Sequence, residues 1–488
     1  MIDLTIHEEP LKRTVQRLRE RGIVLPTFRQ QKNPEEIPPA IKDRLKEVGL
    51  WDLHPYNLFR ITWKNEPVDH GGGFGDVNVM EIPIVLSGVE ARILALIGKW
   101  FPTGSHKVGA TYGCLIPRLV TGQFDPTRHK AVWPSTGNFC RGGAYNAALL
   151  GCESIAILPE GMSRERFEWL SKIAGEVLTT PGGESNVKEI FDKCKELQRT
   201  RKDLFIFNQF EEFGNHLWHY EVTGQALEEA LRQRMTSEDR FAGFVASSGS
   251  AGTLGAGDYL KKVFPGSRLA VGEPLQCPTL LCNGYGDHRI EGIGDKHVPW
   301  IHHVRNTDMV IAVDDQACLD LIRLFNEPKG IGYLKKEGVD EKFLSKLPLL
   351  GISSVANLLC AIKFAKYYGL GRRDFIATVF TDSIDLYRSR LKELEEKYGP
   401  YTEEEAVKDY HRVLMGTTTD HLLELSYREK KRIHNLKYFT WIEQQGKDPS
   451  ELEAQWEDDP FYWENLHAQA KKIDDLIDQF NRLTGLRP

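Results

Sequence analysis

Three short segments carry the most suggestive residue types in this 488-residue chain: Gly104-Ser105-His106-Lys107, Ser135-Thr136-Gly137-Asn138 and Gly249-Ser250-Ala251-Gly252-Thr253. A lysine at the start of a helix is fixed by the backbone, and the positive end of the helix dipole disfavours its ammonium form. Lys107 is therefore the candidate imine-forming amine. Ser135, Thr136 and Asn138, with the free N–H groups of a helix start around Gly137, are the donors a substrate carboxylate would use. Gly249, Ser250, Ala251 and Gly252 let the backbone approach a phosphate closely, and the helix opening after Thr253 adds N–H groups that complement its charge. Each segment also has a plainer reading: a surface lysine, an N-cap worth about 1 kcal/mol, and a structural glycine turn. Together they are the parts needed to hold pyridoxal phosphate. No P-loop lysine follows Gly252-Thr253, and G-x-G-x-x-G is absent there, which argues against nucleotide and dinucleotide binding. The cluster Gly71-Gly72-Gly73-Phe74-Gly75 lacks a convincing strand before it and a helix after it, so it reads as an ordinary loop.

The positioning elements follow from periodicity. Short apolar runs at Ala91–Ile97, Ala131–Trp133, Ser154–Leu158, Leu204–Phe207, Gly243–Ala246, Arg268–Val271, Met309–Val313 and Phe375–Phe380 alternate with amphipathic stretches such as Arg164–Ala174, Val187–Gln198 and Gly214–Arg232. This rhythm predicts an α/β fold with parallel sheets and helices on both faces, because parallel strands need crossover connections. Ligands in such folds sit at the carboxyl ends of the strands, where the three segments fall. The flanks differ. Residues 1–80 form an amino-terminal extension with a basic helix near Leu11–Arg21. From residue 391 a charged helical extension begins, with helices expected at Arg390–Glu396 and Ala468–Arg482 and aromatics at Tyr438, Phe439, Trp441, Trp456, Tyr462 and Trp463. So many aromatic rings predict that this tail packs onto something.

Composition narrows the class. Hydrophobic residues make up 41% and charged residues 27%, as in ordinary globular proteins. The start shows no signal-peptide pattern, and no stretch approaches the roughly 20 apolar residues of a membrane span. A net charge of −6 gives no global reason to expect nucleic acid. The eight cysteines form no C-x-x-C pair, which suits reduced thiols in the cytoplasm and gives no metal site.

The middle of the chain resembles the cysteine synthase and cystathionine β-synthase branch of pyridoxal-phosphate enzymes of the tryptophan-synthase β fold. Ser105-His106-Lys107 is similar to the Ser-x-Lys segment that carries the Schiff-base lysine, and Ser135-Thr136-Gly137-Asn138 to the loop that binds the substrate carboxylate and the cofactor ring hydroxyl. Gly249-Ser250-Ala251-Gly252-Thr253 resembles the phosphate loop, Gln209-Phe210 the pair near the carboxylate loop, and Glu291-Gly292-Ile293-Gly294 the family's Gly-Ile-Gly segment. Gly351-Ile352-Ser353-Ser354 resembles Gly-Ile-Ser-Ser, whose first serine meets the pyridine nitrogen.

The resemblance implies Lys107 as catalytic residue. It implies Lys107, Asn138, Gly249, Ser250, Ala251, Gly252, Thr253 and Ser353 at the cofactor, and Ser135, Thr136, Gly137, Asn138, Gln209 and Gly292 at the substrate. A neutral serine at the ring nitrogen makes a milder electron sink than a carboxylate, which suits elimination from Cβ through an α-aminoacrylate. Two departures stand out. Phe139 replaces a hydroxyl residue, and Arg141 is either a charge toward the substrate or a solvated helix arginine; backbone amides are expected to bind the phosphate despite Ser250 and Ala251.

The implied architecture is two doubly wound parallel-sheet domains, with residues 81–113 and 211–390 as the large cofactor domain and 114–210 as a small mobile substrate domain. The implied reaction is β-elimination or β-replacement on a serine- or cysteine-type amino acid, with a thiol or other small nucleophile as candidate second substrate, in a homodimer. Two alternatives stay open: a serine or threonine dehydratase, ammonia lyase or threonine synthase-like enzyme, and an inactive cofactor-binding interaction scaffold.

Overall fold

The computed structural model describes residues 1–67 and 73–486, so Gly71 and Gly72 of the glycine cluster lie outside the described residues. Strand β2 (Arg92–Ile97) shows why the central strands read as continuous apolar runs. Ile93, Ala95 and Ile97 face one core, while Leu94 and Leu96 face the other. A strand covered on both faces has no polar side to display.

The large sheet has the order β1-β2-β10-β7-β8-β9-β11, with β1 (Val79–Ile82), β7 (Arg240–Ser247), β8 (Arg268–Pro274), β9 (Met309–Val313), β10 (Asp374–Phe380) and β11 (Leu422–Glu424). Its five inner strands are parallel. The edges differ: β1 and β11 run antiparallel to their neighbours β2 and β9. The carboxy-terminal extension is therefore not wholly helical, since it completes one edge of the large sheet. The small sheet has the order β5-β4-β3-β6, built from β3 (Lys130–Pro134), β4 (Ser154–Pro159), β5 (Glu176–Thr180) and β6 (Leu204–Ile206), all parallel. Strands β1, β5 and β11 escape the apolar-run criterion because they are short, edge-lying and mixed in composition, as in Glu176-Val177-Leu178-Thr179-Thr180.

The tail packs as expected, with one correction. Trp441, Trp456 and Trp463 are buried, and Tyr462 nearly so. Tyr438 and Phe439, which belong to the same aromatic group in sequence, are instead exposed at 43% and 56%. All three belong to the π-helical stretch Tyr438–Gln444, which turns Trp441 inward. Helix Phe461–Thr484 buries Trp463, Leu466, Ile473, Ile477 and Phe480 along one stripe, and it lies against the amino-terminal helix Glu8–Glu20. The two extensions thus cover the core together. No single helix among the described residues is long and apolar enough to cross a membrane.

Candidate active site

Lys107 opens the helix Lys107–Val120, reached from β2 through Pro102–Gly104, where Thr103 and Gly104 both take left-handed backbone. This helix is seated by close backbone approach. A Cβ at Gly113 would lie 2.3 Å from the Gly214 carbonyl, so only glycine lets it nest against helix Phe213–Trp218. The loop after β7 brings Gly249 to Thr253 to the same place, ahead of helix Leu254–Val263. Ala251 holds a φ of 63° there, a conformation costing a side-chain residue about 1–2 kcal/mol. The turn after β3 supplies Ser135 to Asn138, and helix Ile352–Tyr368 presents Ser353 in its first turn.

One cavity collects nearly all of these residues. Lys107, Ser135, Thr136, Asn138, Gln209, Gly249, Ser250, Ala251, Gly252, Thr253, Gly292 and Ser353 line it. Gly137 does not; it packs behind, where a Cβ would meet the Arg166 guanidinium at 2.4 Å. Lys107 Nζ donates to Ser250 Oγ at 3.2 Å, which joins the lysine to the Gly249–Thr253 loop directly. The same hydroxyl accepts from Asn215 Nδ2 at 3.0 Å, so the Ser250 side chain links Lys107 to Asn215. Ser135 Oγ accepts from Gln209 Nε2 at 3.2 Å and from the Gly137 amide at 3.1 Å. Ser353 faces the cavity, whereas the Ser354 hydroxyl turns away to the Asp382 carbonyl.

Two residues behave differently from expectation. The Asn138 amide donates to Asp382 Oδ2 at 2.6 Å, so part of its hydrogen-bonding capacity is spent within the protein. Arg141 is neither solvated nor at the cavity: it is buried 4.7 Å over the Trp169 ring, with Nη1 3.5 Å from Asn138 Oδ1. Phe139 does line the cavity.

Sequence reasoning missed Glu184, Asp295, Ser247, Asn357 and Thr381, which also line it. Asp295 adjoins the Gly292-Ile293-Gly294 segment and could have been found by that adjacency. Glu184 follows β5 in a loop with no recognisable motif. Asn357 has a structural task, accepting from the Ser247 amide and donating to the Val379 carbonyl, which ties the tips of β7 and β10 together.

The electrostatics are those of a proton-handling site. Burial lowers Lys107 to about 8, partly opposed by the Asp295 carboxylate. Burial raises Asp295 to about 7 against the pull of Lys107, and raises Glu184 to about 8 against Arg166 and Thr136. Arg166 is fully buried and pairs with Glu291 at 2.7 Å, so the two neutralise each other behind the cavity.

These groups fit pyridoxal phosphate. The amine is near neutrality, a loop of small residues opens a helix beside it, and a neutral hydroxyl stands at Ser353. The buried atoms Asp295 Oδ2 and Glu184 Oε2 have no hydrogen-bond partner among the described residues.

Comparison with known proteins agrees with this chemistry. The profile described as "Pyridoxal-phosphate dependent enzyme" matches residues 99–333. A probable cysteine synthase of Bacillus subtilis is 30% identical over 293 residues, spanning 60% of this chain and 87% of that protein. A cystathionine beta-synthase of Saccharomyces cerevisiae is 24% identical over 337 residues, spanning 67% of this chain and 63% of that protein. Among solved structures, an O-acetylserine dependent cystathionine beta-synthase from Helicobacter pylori superposes with a TM-score of 0.53 at 26% identity, covering 64% of this chain and 94% of that one. By its sequence and its fold, this chain belongs to the pyridoxal-phosphate dependent enzyme family of which the cysteine synthases are members.

Proposed function

We propose that this protein catalyses β-replacement, or β-elimination, on a serine- or cysteine-type amino acid. The observation that carries this reading is the meeting, in one cavity, of a lysine whose pKa is lowered to about 8, the hydroxyl and amide side chains of the turn after β3, and the small-residue loop Gly249 to Thr253. Bound pyridoxal phosphate supplies an electron sink for the bonding pair left at Cα. The chain's own residues do the rest. Lys107 Nζ would hold the cofactor, Gly249 to Thr253 its phosphate and Ser353 its ring nitrogen. Ser135, Thr136 and Gln209 orient the substrate carboxylate. Once displaced by substrate, the Lys107 amine takes the Cα proton, and a group with a pKa near 8 exchanges that proton at little cost at neutral pH.

The reading extends to a small substrate domain over residues 114–210 that moves against the large one, supported by the separate four-stranded sheet within it. It extends to a homodimer, supported by exposed Trp51 and Leu53. It also extends to a cytoplasmic setting, supported by eight free cysteines. The test is to incubate the holoprotein in deuterated water with O-acetylserine, O-phosphoserine, serine, cysteine and threonine. Cα exchange together with leaving-group release is expected for a serine- or cysteine-type substrate. Absence of both for all five compounds would overturn the proposal.

A further inference from the structure

Away from the reaction cavity, three helices bring together side chains of the types that ligate metal ions. They are His216 of helix Phe213–Trp218, Asp258 of helix Leu254–Val263 and His467 of helix Phe461–Thr484. None of the three lines the reaction cavity. His216 and Asp258 fall within the family match at residues 99–333, whereas His467 belongs to the carboxy-terminal extension beyond it. So wide a separation along the chain leaves no spacing motif to announce them.

The ligating atoms face one another. His216 Nε2 lies 3.0 Å from His467 Nε2 and 3.6 Å from Asp258 Oδ2, and all three atoms fall within 4.8 Å of one another. Two donors on one tetrahedral zinc ion, each bound at about 2.0–2.1 Å, stand about 3.3 Å apart, between those two separations. Burial lowers His216 to about 4 and His467 well below its ordinary value, so both rings are neutral and keep a lone pair to offer. Against the burial that would raise it, His303 holds Asp258 below the ordinary carboxylate range, so this group stays ionised.

Outer partners fix the same three side chains. Asp258 accepts from His303 Nδ1 at 2.9 Å and from Asn306 Nδ2, while His303 donates through Nε2 to Asp459 at 2.7 Å and stacks on Trp463. The His467 ring lies face to face on Tyr220 at 3.6 Å. Metal-binding carboxylates and imidazoles are held in this way by a surrounding layer of hydrogen bonds and packing.

We propose that His216, Asp258 and His467 bind one divalent transition-metal ion of the zinc type, which pins the carboxy-terminal extension to the core. Two imidazoles and one carboxylate suit such an ion better than magnesium or calcium, which take oxygen ligands, and a fourth position is left for water. The pin reaches the reaction cavity at one remove: the helix of Asp258 opens from the Gly249–Thr253 loop, and Asn215, beside His216, donates to Ser250.

The experiment uses untagged holoprotein stripped with EDTA, equilibrated with zinc sulfate and freed of excess zinc by gel filtration. One zinc per chain is expected, with nitrogen and oxygen neighbours and no sulfur in its X-ray absorption spectrum, and with a raised thermal unfolding midpoint. His467→Gln keeps a hydrogen-bonding group opposite His216 but removes an imidazole ligand. Loss of an outer partner alone costs about ten- to a hundredfold in metal affinity, so this variant should bind zinc about a hundredfold more weakly or worse and lose the rise in midpoint. If His467→Gln fails to fold, the absorption spectrum of the unaltered protein decides. No bound zinc would reduce the pair to two imidazoles sharing a proton. That result, zinc held by sulfur, or zinc held equally by His467→Gln overturns the site.

Discussion

Replacing Trp441 tests whether the carboxy-terminal extension holds the active site in shape. Its indole is fully buried, and Nε1 donates to the Val298 carbonyl at 2.8 Å. The ring meets Phe191 of the small-sheet side at 6.0 Å and His297 at 5.8 Å. The segment it grips begins at Asp295, the carboxylate that faces Lys107. Two further carbonyls of that segment, Trp300 and His302, accept from the buried Lys437 amine.

Trp441→Phe removes one hydrogen bond and leaves the Val298 carbonyl unsatisfied, a cost of about 1–3 kcal/mol. Trp441→Ala adds a cavity and should cost about 3–5 kcal/mol. Urea unfolding followed by far-UV circular dichroism should therefore rank the variants unaltered, Phe, Ala. Turnover below the transition should fall in the same order, because Asp295 loses its support. A Trp441→Ala protein that lost less than about 1 kcal/mol and kept full turnover would refute the role given to the tail.

Further expectations follow from the same contacts. Truncation after Arg390 removes β11 and the buried Trp441, Trp456 and Trp463, so the product should be insoluble or altered in oligomeric state on gel filtration; a soluble, fully active truncation would contradict this. Ser353→Ala should lower turnover modestly and shift cofactor absorbance, while Ser354→Ala should affect stability more than spectrum, because only Ser353 faces the cavity. In the cofactor-free protein, the raised carboxyls of Asp295 and Glu184 keep protons that the unfolded chain has lost. Their contribution to the unfolding free energy should therefore fall as pH rises from about 4 to 8. Lys107, lowered to about 8, binds fewer protons than the unfolded chain between about 8 and 10.5, so its own contribution should rise over that range. Glu184→Gln should flatten the falling limb, and an unchanged pH profile in that variant would show its carboxyl to be ordinary.

Much of this was legible in the sequence because a strand covered on both faces must be apolar, and a phosphate loop must be made of small residues. The inner strands and the three reactive segments announce themselves for those reasons. Three of the four edge strands, β1, β5 and β11, did not, since half-exposed strands such as Glu176–Thr180 carry mixed residues. Glu184 and Asp295 were missed because a carboxylate becomes chemically unusual only through burial, and burial is a property of the assembled fold. Arg141 shows the reverse case: its position near Asn138 suggested a substrate contact, but tertiary packing sends it under Trp169. Tyr438 and Trp441 look equivalent as aromatic residues, and only the docking of the helix separates the exposed one from the buried one.

The most direct test of the central claim is to reduce the holoprotein with borohydride and map the labelled peptide. At pH 7, with its pKa near 8, roughly one tenth of Lys107 is unprotonated, against roughly one in three thousand for an ordinary lysine. Lys107 also lines the cavity, whereas Lys437 does not, so Lys107 should carry the pyridoxyl group alone and Lys107→Ala should give no label. Label on another lysine, the buried Lys437 included, would contradict the assignment of Lys107 and with it the account of the site.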